Sequence, residues 1–174
     1  MSQDIKVTGT PQTFGDGAIR NTKDGKGRYD LIPPEPFKMI VDRIVRMHDD
    51  YQDICINQAQ IYLDAFVERD FIKTIIELTA YGYAKYPPNS QAVKTEDFSA
   101  ALWDMLHDLA VHFEKGAKIY GEHNCEKGIP EWSFLDSGIR HMTQVFEGKE
   151  DEPHLISSIW NFWMLVWSKN KSVE

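Results

Sequence analysis

Apolar residues recur at helical spacing in five stretches of this chain, separated by runs of Gly, Pro and acidic residues. The first stretch is Phe37, Ile40, Val41, Ile44 and Val45, followed by His48. Pro33, Pro34 and Pro36 flank Glu35 at its entrance, where a missing amide hydrogen costs little, and Asp49-Asp50 ends or bends it. From Tyr51 to Tyr86 the spacing runs on through Ile61, Phe66, Phe71, Ile75, Ile76 and Leu78 without a hairpin signal, until Pro87-Pro88-Asn89-Ser90 breaks it. Thr95-Glu96-Asp97 predicts a helix start, a capping hydroxyl followed by acids in the first turn. The buried stripe behind it is Ala101, Leu102, Met105, Leu106, Leu109, Ala110 and Phe113. Ser133 is the expected cap of the next helix, with Leu135, Ile139, Met142 and Phe146 as its stripe. Asp151 is expected to open the last, with Glu152 and Pro153 in its first turn. That helix is apolar almost all round, from Leu155 to Trp167, which predicts that it is enclosed. The pattern predicts an all-α fold, a helical bundle of about five helices, preceded by an irregular basic N-terminal arm over residues 1–34.

Within that arm Arg20, Lys23, Lys26 and Arg28 alternate with glycines that let backbone approach a ligand closely. From local chemistry alone the same stretch reads more simply as a flexible, soluble tail. No Walker A pattern is present. A length of 174 residues predicts one domain over 1–174, large enough for a core without metal or disulfide staples. The formal charge of -8 disfavours a nucleic-acid partner, yet a few local Lys and Arg residues can still hold a small anion. No apolar run reaches the roughly 20 residues that span a bilayer, and the N-terminus carries no export signal, so no membrane partner and a cytoplasmic location are expected. Cys55 and Cys125 share no motif spacing and read as free thiols. Five tryptophans and an apolar last helix predict a homodimer or larger homo-oligomer.

Candidate chemistry concentrates between Leu109 and Trp163. His112 lies at the margin of its helix stripe one turn after Asp108, a pair that can share a metal or a proton, or simply pack with a hydrogen-bonded neighbour. Glu114 and Lys118 fall one turn apart, the spacing of a solvated ion pair. Asp136 and Arg140 align one turn apart, although an acid at Asp136 also stabilises a helix start, and His141 sits on the opposite flank. His154, Ser158 and Asn161 share one stripe of the last helix, either its narrow outer face or the lining of a polar cavity.

The phrases GAIRN…GKGRYDLIPPEP, LAVHFEKGAKIYGEHNCEKGIP and LDSGIRH…DEPHLISSIWN together resemble the dATP/dGTP diphosphohydrolase family, the MazZ-like all-α nucleotide pyrophosphohydrolases often encoded by phages. The likeness spans residues 14–48 and 102–165, leaving 49–101 as a helical insertion or a divergent helical hairpin. It departs at Cys125, where the family usually has tryptophan. The resemblance implies hydrolysis of a purine deoxynucleoside triphosphate, dATP or dGTP, to the monophosphate and pyrophosphate with a divalent metal, Mg2+ or else Mn2+. If the protein is phage-encoded, it would act in the bacterial host cytoplasm. Related enzymes grip metals with Glu-x-x-Glu and Glu-x-x-Asp pairs. Here Glu147-Gly-Lys-Glu150 has such spacing but straddles a helix-ending glycine, so a partly histidine set is expected: His112, Glu114, Asp136 and Asp151. The resemblance further implies catalytic roles among Glu114, Asp136, His141, His154 and Asn161. Substrate contacts are expected from Arg20, Lys26, Arg28, Asp30, Lys118, Tyr120, Asn124, Lys127 and Arg140. A non-catalytic nucleotide sensor and a helical protein-interaction module are the alternatives.

Overall fold

A computed structural model describes residues 11–13, 19–21, 27–50, 53–84 and 92–171 of the protein. Among these, six α-helices and two short antiparallel strand pairs are present. The last helix, α6 (His154–Lys171), is the centre of the molecule, and its side chains from Ile156 to Trp167 are almost all buried. An α-helix without a polar face has to be surrounded, and four other helices do so. The hairpin partner α5 (Glu131–Phe146) runs antiparallel to α6, with contacts stepping from His141–His154 through Gly138–Ser158 to Phe134–Trp160. α3 (Phe71–Tyr83) crosses another side, where Phe71 stacks on Phe162 at 5.8 Å and Gly82 leaves room for Leu155. The 23-residue α4 (Phe98–Tyr120) packs Phe113 edge-on to Trp160. α1 (Pro34–Asp49) is fixed at its entrance by the Trp163 indole, which donates to the Pro33 carbonyl at 3.0 Å.

The bundle is therefore all-α as the periodicity predicts, and α1 begins among its prolines and ends at Asp49 as expected. The stretch after it is broken more often than its spacing suggests. Strand β3 (Ile54–Cys55) pairs with β4 (Ala92–Val93), so the intervening helices start and finish at one place. Asn57 caps the short α2 (Gln58–Leu63), accepting from the amides of Ala59 and Gln60. A π-turn over Asp64–Glu68 then runs into Arg69, whose φ of 55° ends the helix, and Asp70 caps α3. The first strand pair, β1 (Pro11–Thr13) with β2 (Ile19–Asn21), lies in the arm.

Three expected boundaries move. Thr95–Asp97 forms a 3-10 turn and α4 starts at Phe98, with no capping bond from Thr95. α5 starts at Glu131, two residues before Ser133; Pro130 supplies the entrance with φ -62° and accepts from the Ser133 amide. α6 starts at His154, because a residue before proline avoids the helical region, which leaves Asp151 and Glu152 outside. The buried face of α5 is also turned by one residue. Phe134, Gly138, His141 and Met142 are buried while Leu135, Ile139 and Phe146 are half-buried, since Gly138 is where α6 approaches closest, with Phe162 and Asn161 against its Cα.

One buried charge in the scaffold is poorly compensated. Neither oxygen of Glu77, 1% exposed on α3, finds a hydrogen-bond donor among the described residues. Lys73 binds Asp64 at 2.9 Å and stands 3.8 Å from Glu77. Burial first, and the neighbouring Asp64 charge second, push the Glu77 carboxyl up to about 8, with Lys73 opposing. A proton on Glu77 lets the two carboxyls share it. An acid with its folded pKa raised favours the fold at low pH, and that contribution drains away as pH rises from about 4.5 towards about 8. Glu77→Gln is therefore expected to melt close to the parent at about pH 5 and about 5 °C or more above it at about pH 8.5. Melting curves at the two pH values measure this, and a gap independent of pH would contradict it.

Candidate active site

The site is assembled by the arm, α4, the α4–α5 loop and α6. The arm is tied to α4 by backbone. The Gly27 amide donates to Glu114 Oε2 at 2.7 Å, and the Arg28 amide to the Ala110 carbonyl at 3.0 Å. Gly27 has φ +80°, and a Cβ there would lie 2.8 Å from that of Ala110, so both conformation and space require glycine. Glu114 is therefore buried beneath the arm, not in the solvated pair its spacing with Lys118 suggests, although the Lys118 ammonium does reach Glu114 Oε1 at 3.0 Å. The arm continues as a 3-10 turn over Tyr29–Leu31; Tyr29 meets His107 Nδ1 at 2.6 Å and Leu31 turns inward. The Arg28 guanidinium spans Asp30 and Glu122, which raises its own pKa and lowers that of Glu122.

Leu31 forms one wall of a cavity of about 360 Å3. The other apolar walls are Phe113, Ala117, Ile129 and Trp160, and Gly116 leaves open space in the flank of α4. The Trp160 ring is fixed between His112, Phe113 and Phe134 at centroid distances of 5.6, 6.1 and 5.8 Å. Polar groups enter at His112 and Asn124, with Tyr120, His123 and Cys125 completing the lining. Burial, then Lys115, then His141 depress the His112 pKa to about 4. At neutral pH its imidazole is uncharged and offers one donor and one acceptor. The volume falls in the range of small-molecule sites, and an apolar slot with a few neutral hydrogen-bonding groups suits a flat heteroaromatic ring.

A second cleft opens beside the start of α6, lined by Asp108, Glu150, Asp151, Glu152 and His154 among others. Tyr83 donates to Asp108 at 2.9 Å, and burial with this bond raises the Tyr83 pKa. Along the inner edge a chain of contacts runs Arg140 to His141 (3.2 Å), His141 to His154 (Nδ1 to Nδ1, 3.0 Å) and His154 to Asp151 (2.9 Å). Arginine can only donate, so His141 accepts at Nε2 and carries its proton on Nδ1, from which it donates to His154. His154 then donates from Nε2 to Asp151. Burial and Arg140 lower the His141 pKa, and the His154 bond lowers that of Asp151.

The expected metal set does not come together. Among the described residues no three of His112, Glu114, Asp136 and Asp151 share a ligand-sized space; the three residues that do are His141, Glu152 and His154. Two imidazoles and a carboxylate fit a divalent ion that accepts nitrogen, whereas Mg2+ favours an all-oxygen shell. Asp136 lies exposed on α5 and Lys127 is exposed in the loop. Arg140 reaches His141, and Asp30 is bound to Arg28. Tyr120 and Asn124 line the cavity with His112. The stripe of His154, Ser158 and Asn161 is buried against α5, where Ser158 donates to the Gly138 carbonyl and Asn161 to that of Ser157. Lys26 and the Arg20 side chain lie outside the described residues. Trp160, Glu152 and Gly27 were not singled out by sequence. Trp160 is one of many aromatics on α6, and Glu152 reads as a helix-start acid; only the close-approach role of the arm glycines pointed towards Gly27.

Helices gathered round an apolar cavity, with an imidazole–carboxylate cluster alongside, define an all-α protein. Residues 85–174 match the family model described as dATP/dGTP diphosphohydrolase, N-terminal, and the chain belongs to that family. The match contains every cavity residue named above except Leu31, and all of His141, Glu152 and His154. No curated protein and no solved structure matches the chain. No helix among the described residues is long and apolar enough to cross a membrane.

The clasp of the arm on α4 can be tested directly. Placing alanine at the positive φ of Gly27 costs about 1–2 kcal/mol before the clash with Ala110 is counted, which shifts the arm's opening equilibrium about tenfold. Gly27→Ala is expected to make trypsin cut after Arg28 about tenfold faster while α5 and α6 resist. Unchanged cleavage would show that the arm is held elsewhere.

Proposed function

We propose that the protein hydrolyses a purine deoxynucleoside triphosphate, dATP or dGTP, to the monophosphate and pyrophosphate, with the base in the cavity between the arm, α4 and α6. The observation that carries this reading is the cavity itself: apolar walls against an immobilised Trp160 ring, edged by a neutral His112 and by Asn124. Burial of a purine face there removes apolar area from water, and the neutral donors and acceptors of His112 and Asn124 read its edge. The family to which the chain belongs supplies the reaction class.

Outside the cavity, Arg28 and Lys118 are already balanced by Asp30, Glu122 and Glu114. A triphosphate takes over the Arg28 donors by exchanging with the exposed carboxylates of Asp30 and Glu122, which makes binding salt-sensitive. Water attacks the α-phosphorus, the bond from that phosphorus to the bridging oxygen breaks, and pyrophosphate leaves with its charge met by the same cations. His141, His154 and Glu152 are the residues that would hold a divalent ion, whose chemistry is to polarise a phosphoryl oxygen and acidify water.

Pyrophosphate release across deoxy- and ribonucleoside triphosphates, with a series of divalent ions, tests the reading. Release from dATP or dGTP without stepwise phosphate is the expected result; binding without release from any of them would leave a sensor. Gly116→Phe provides a structural control, because a side chain there meets open cavity and not backbone. It is expected to fill the cavity, keep or raise the melting temperature, and weaken nucleotide binding by at least about tenfold. Undiminished binding would place the base elsewhere.

A further inference from the structure

Two buried imidazoles that face each other nitrogen to nitrogen need something between them, either a shared proton or a metal ion. His141 and His154 stand in this way, with their Nδ1 atoms 3.0 Å apart. The Glu152 carboxylate joins them in a set of three ligand atoms, one ring nitrogen from each histidine and one carboxylate oxygen, that all lie within 4.8 Å of one another. We propose that His141, His154 and Glu152 form a site for a divalent ion of borderline softness, such as Zn2+ or Co2+, and not for Mg2+. The site stands whether or not the cavity holds a nucleotide.

Three features carry this. Nitrogen ligands at about 2.0–2.1 Å from an ion, at angles between octahedral and tetrahedral, lie about 2.9–3.4 Å from each other, so the two rings are already at ligand spacing. The far nitrogen of His154 is bound by Asp151 at 2.9 Å, which turns the lone pair of Nδ1 towards His141; an outer carboxylate on a ligating histidine is the usual way that a metal site orients its ring. The helices that carry the rings are locked by the Ser158–Gly138 hydrogen bond of 2.9 Å, whereas Glu152 is exposed on the connecting loop and can close on an ion from the solvent side. Entry of the ion displaces the proton between the rings. His141 then carries its proton on Nε2, and the exposed Arg140 turns away from it. Three protein ligands leave at least one position for water or a phosphoryl oxygen, the pattern of a working site and not of a structural one.

The test uses the full chain stripped with a chelator, titrated with Co2+ by visible absorption and with Zn2+ and Mg2+ by calorimetry. The expected result is one Co2+ or Zn2+ per chain, with Mg2+ at least about 100-fold weaker. His154→Ala and Glu152→Gln are each expected to lose at least about tenfold in affinity, and Asp151→Asn, which touches only the outer nitrogen of His154, about tenfold. His48→Ala, at an exposed position near the end of α1, serves as the control and changes nothing. Circular dichroism checks each fold, and the loop variants at 151 and 152 keep the test decisive if His154→Ala unfolds. Absence of Co2+ and Zn2+ binding, equal affinity for Mg2+, or binding that Glu152→Gln and Asp151→Asn leave unchanged would overturn the proposal and leave a proton between the rings.

Discussion

The structure depends on the enclosure of α6. A helix apolar on nearly every side cannot remain in water, so α1, α3, α4 and α5 are drawn round it, and any polar group it carries must find a partner inside. Ser158 finds the Gly138 carbonyl, Asn161 that of Ser157, Trp163 that of Pro33, and His154 finds both His141 and Asp151. The hydrophobic requirement thus fixes where polar chemistry can occur. Trp160, at the edge of the enclosed helix, is held on three sides and presents what remains of its surface to the cavity.

Much of this architecture is legible in the chain. The stripe of α4 is buried residue for residue, and the all-round apolar character of α6 correctly announces a central helix. What fails to show is whatever depends on a partner far along the chain. Glu114 and Lys118 have the spacing of a surface pair, and nothing local says that the Gly27 amide will come down on the same carboxylate. The one-residue rotation of α5 has the same origin. Periodicity favours Leu135 and Ile139, but the absence of a side chain at Gly138 lets α6 close on the neighbouring face and takes His141 inside with it.

The likeness to a known family singles out residues along much of the chain, and only geometry sorts them. Geometry then divides them: His112, Tyr120 and Asn124 fall on a cavity, and His141 and His154 on a cluster beside an acidic cleft. Glu114 holds the arm, and Asp136 stays on the surface. Histidines drew notice in the sequence because they are scarce. Glu152 did not, because an acid before a helix has an ordinary explanation.

The clasp between Gly27 and Glu114 joins positions 87 residues apart, and this sets an order of assembly during synthesis. The arm is synthesised before its docking surface on α4, so at about 5–20 residues per second it waits roughly 4–17 s for a partner. During that interval Leu31 has no wall to belong to, and the basic segment around it is unclasped. The cavity is therefore finished from the outside, by an earlier-made segment settling onto a later-made helix.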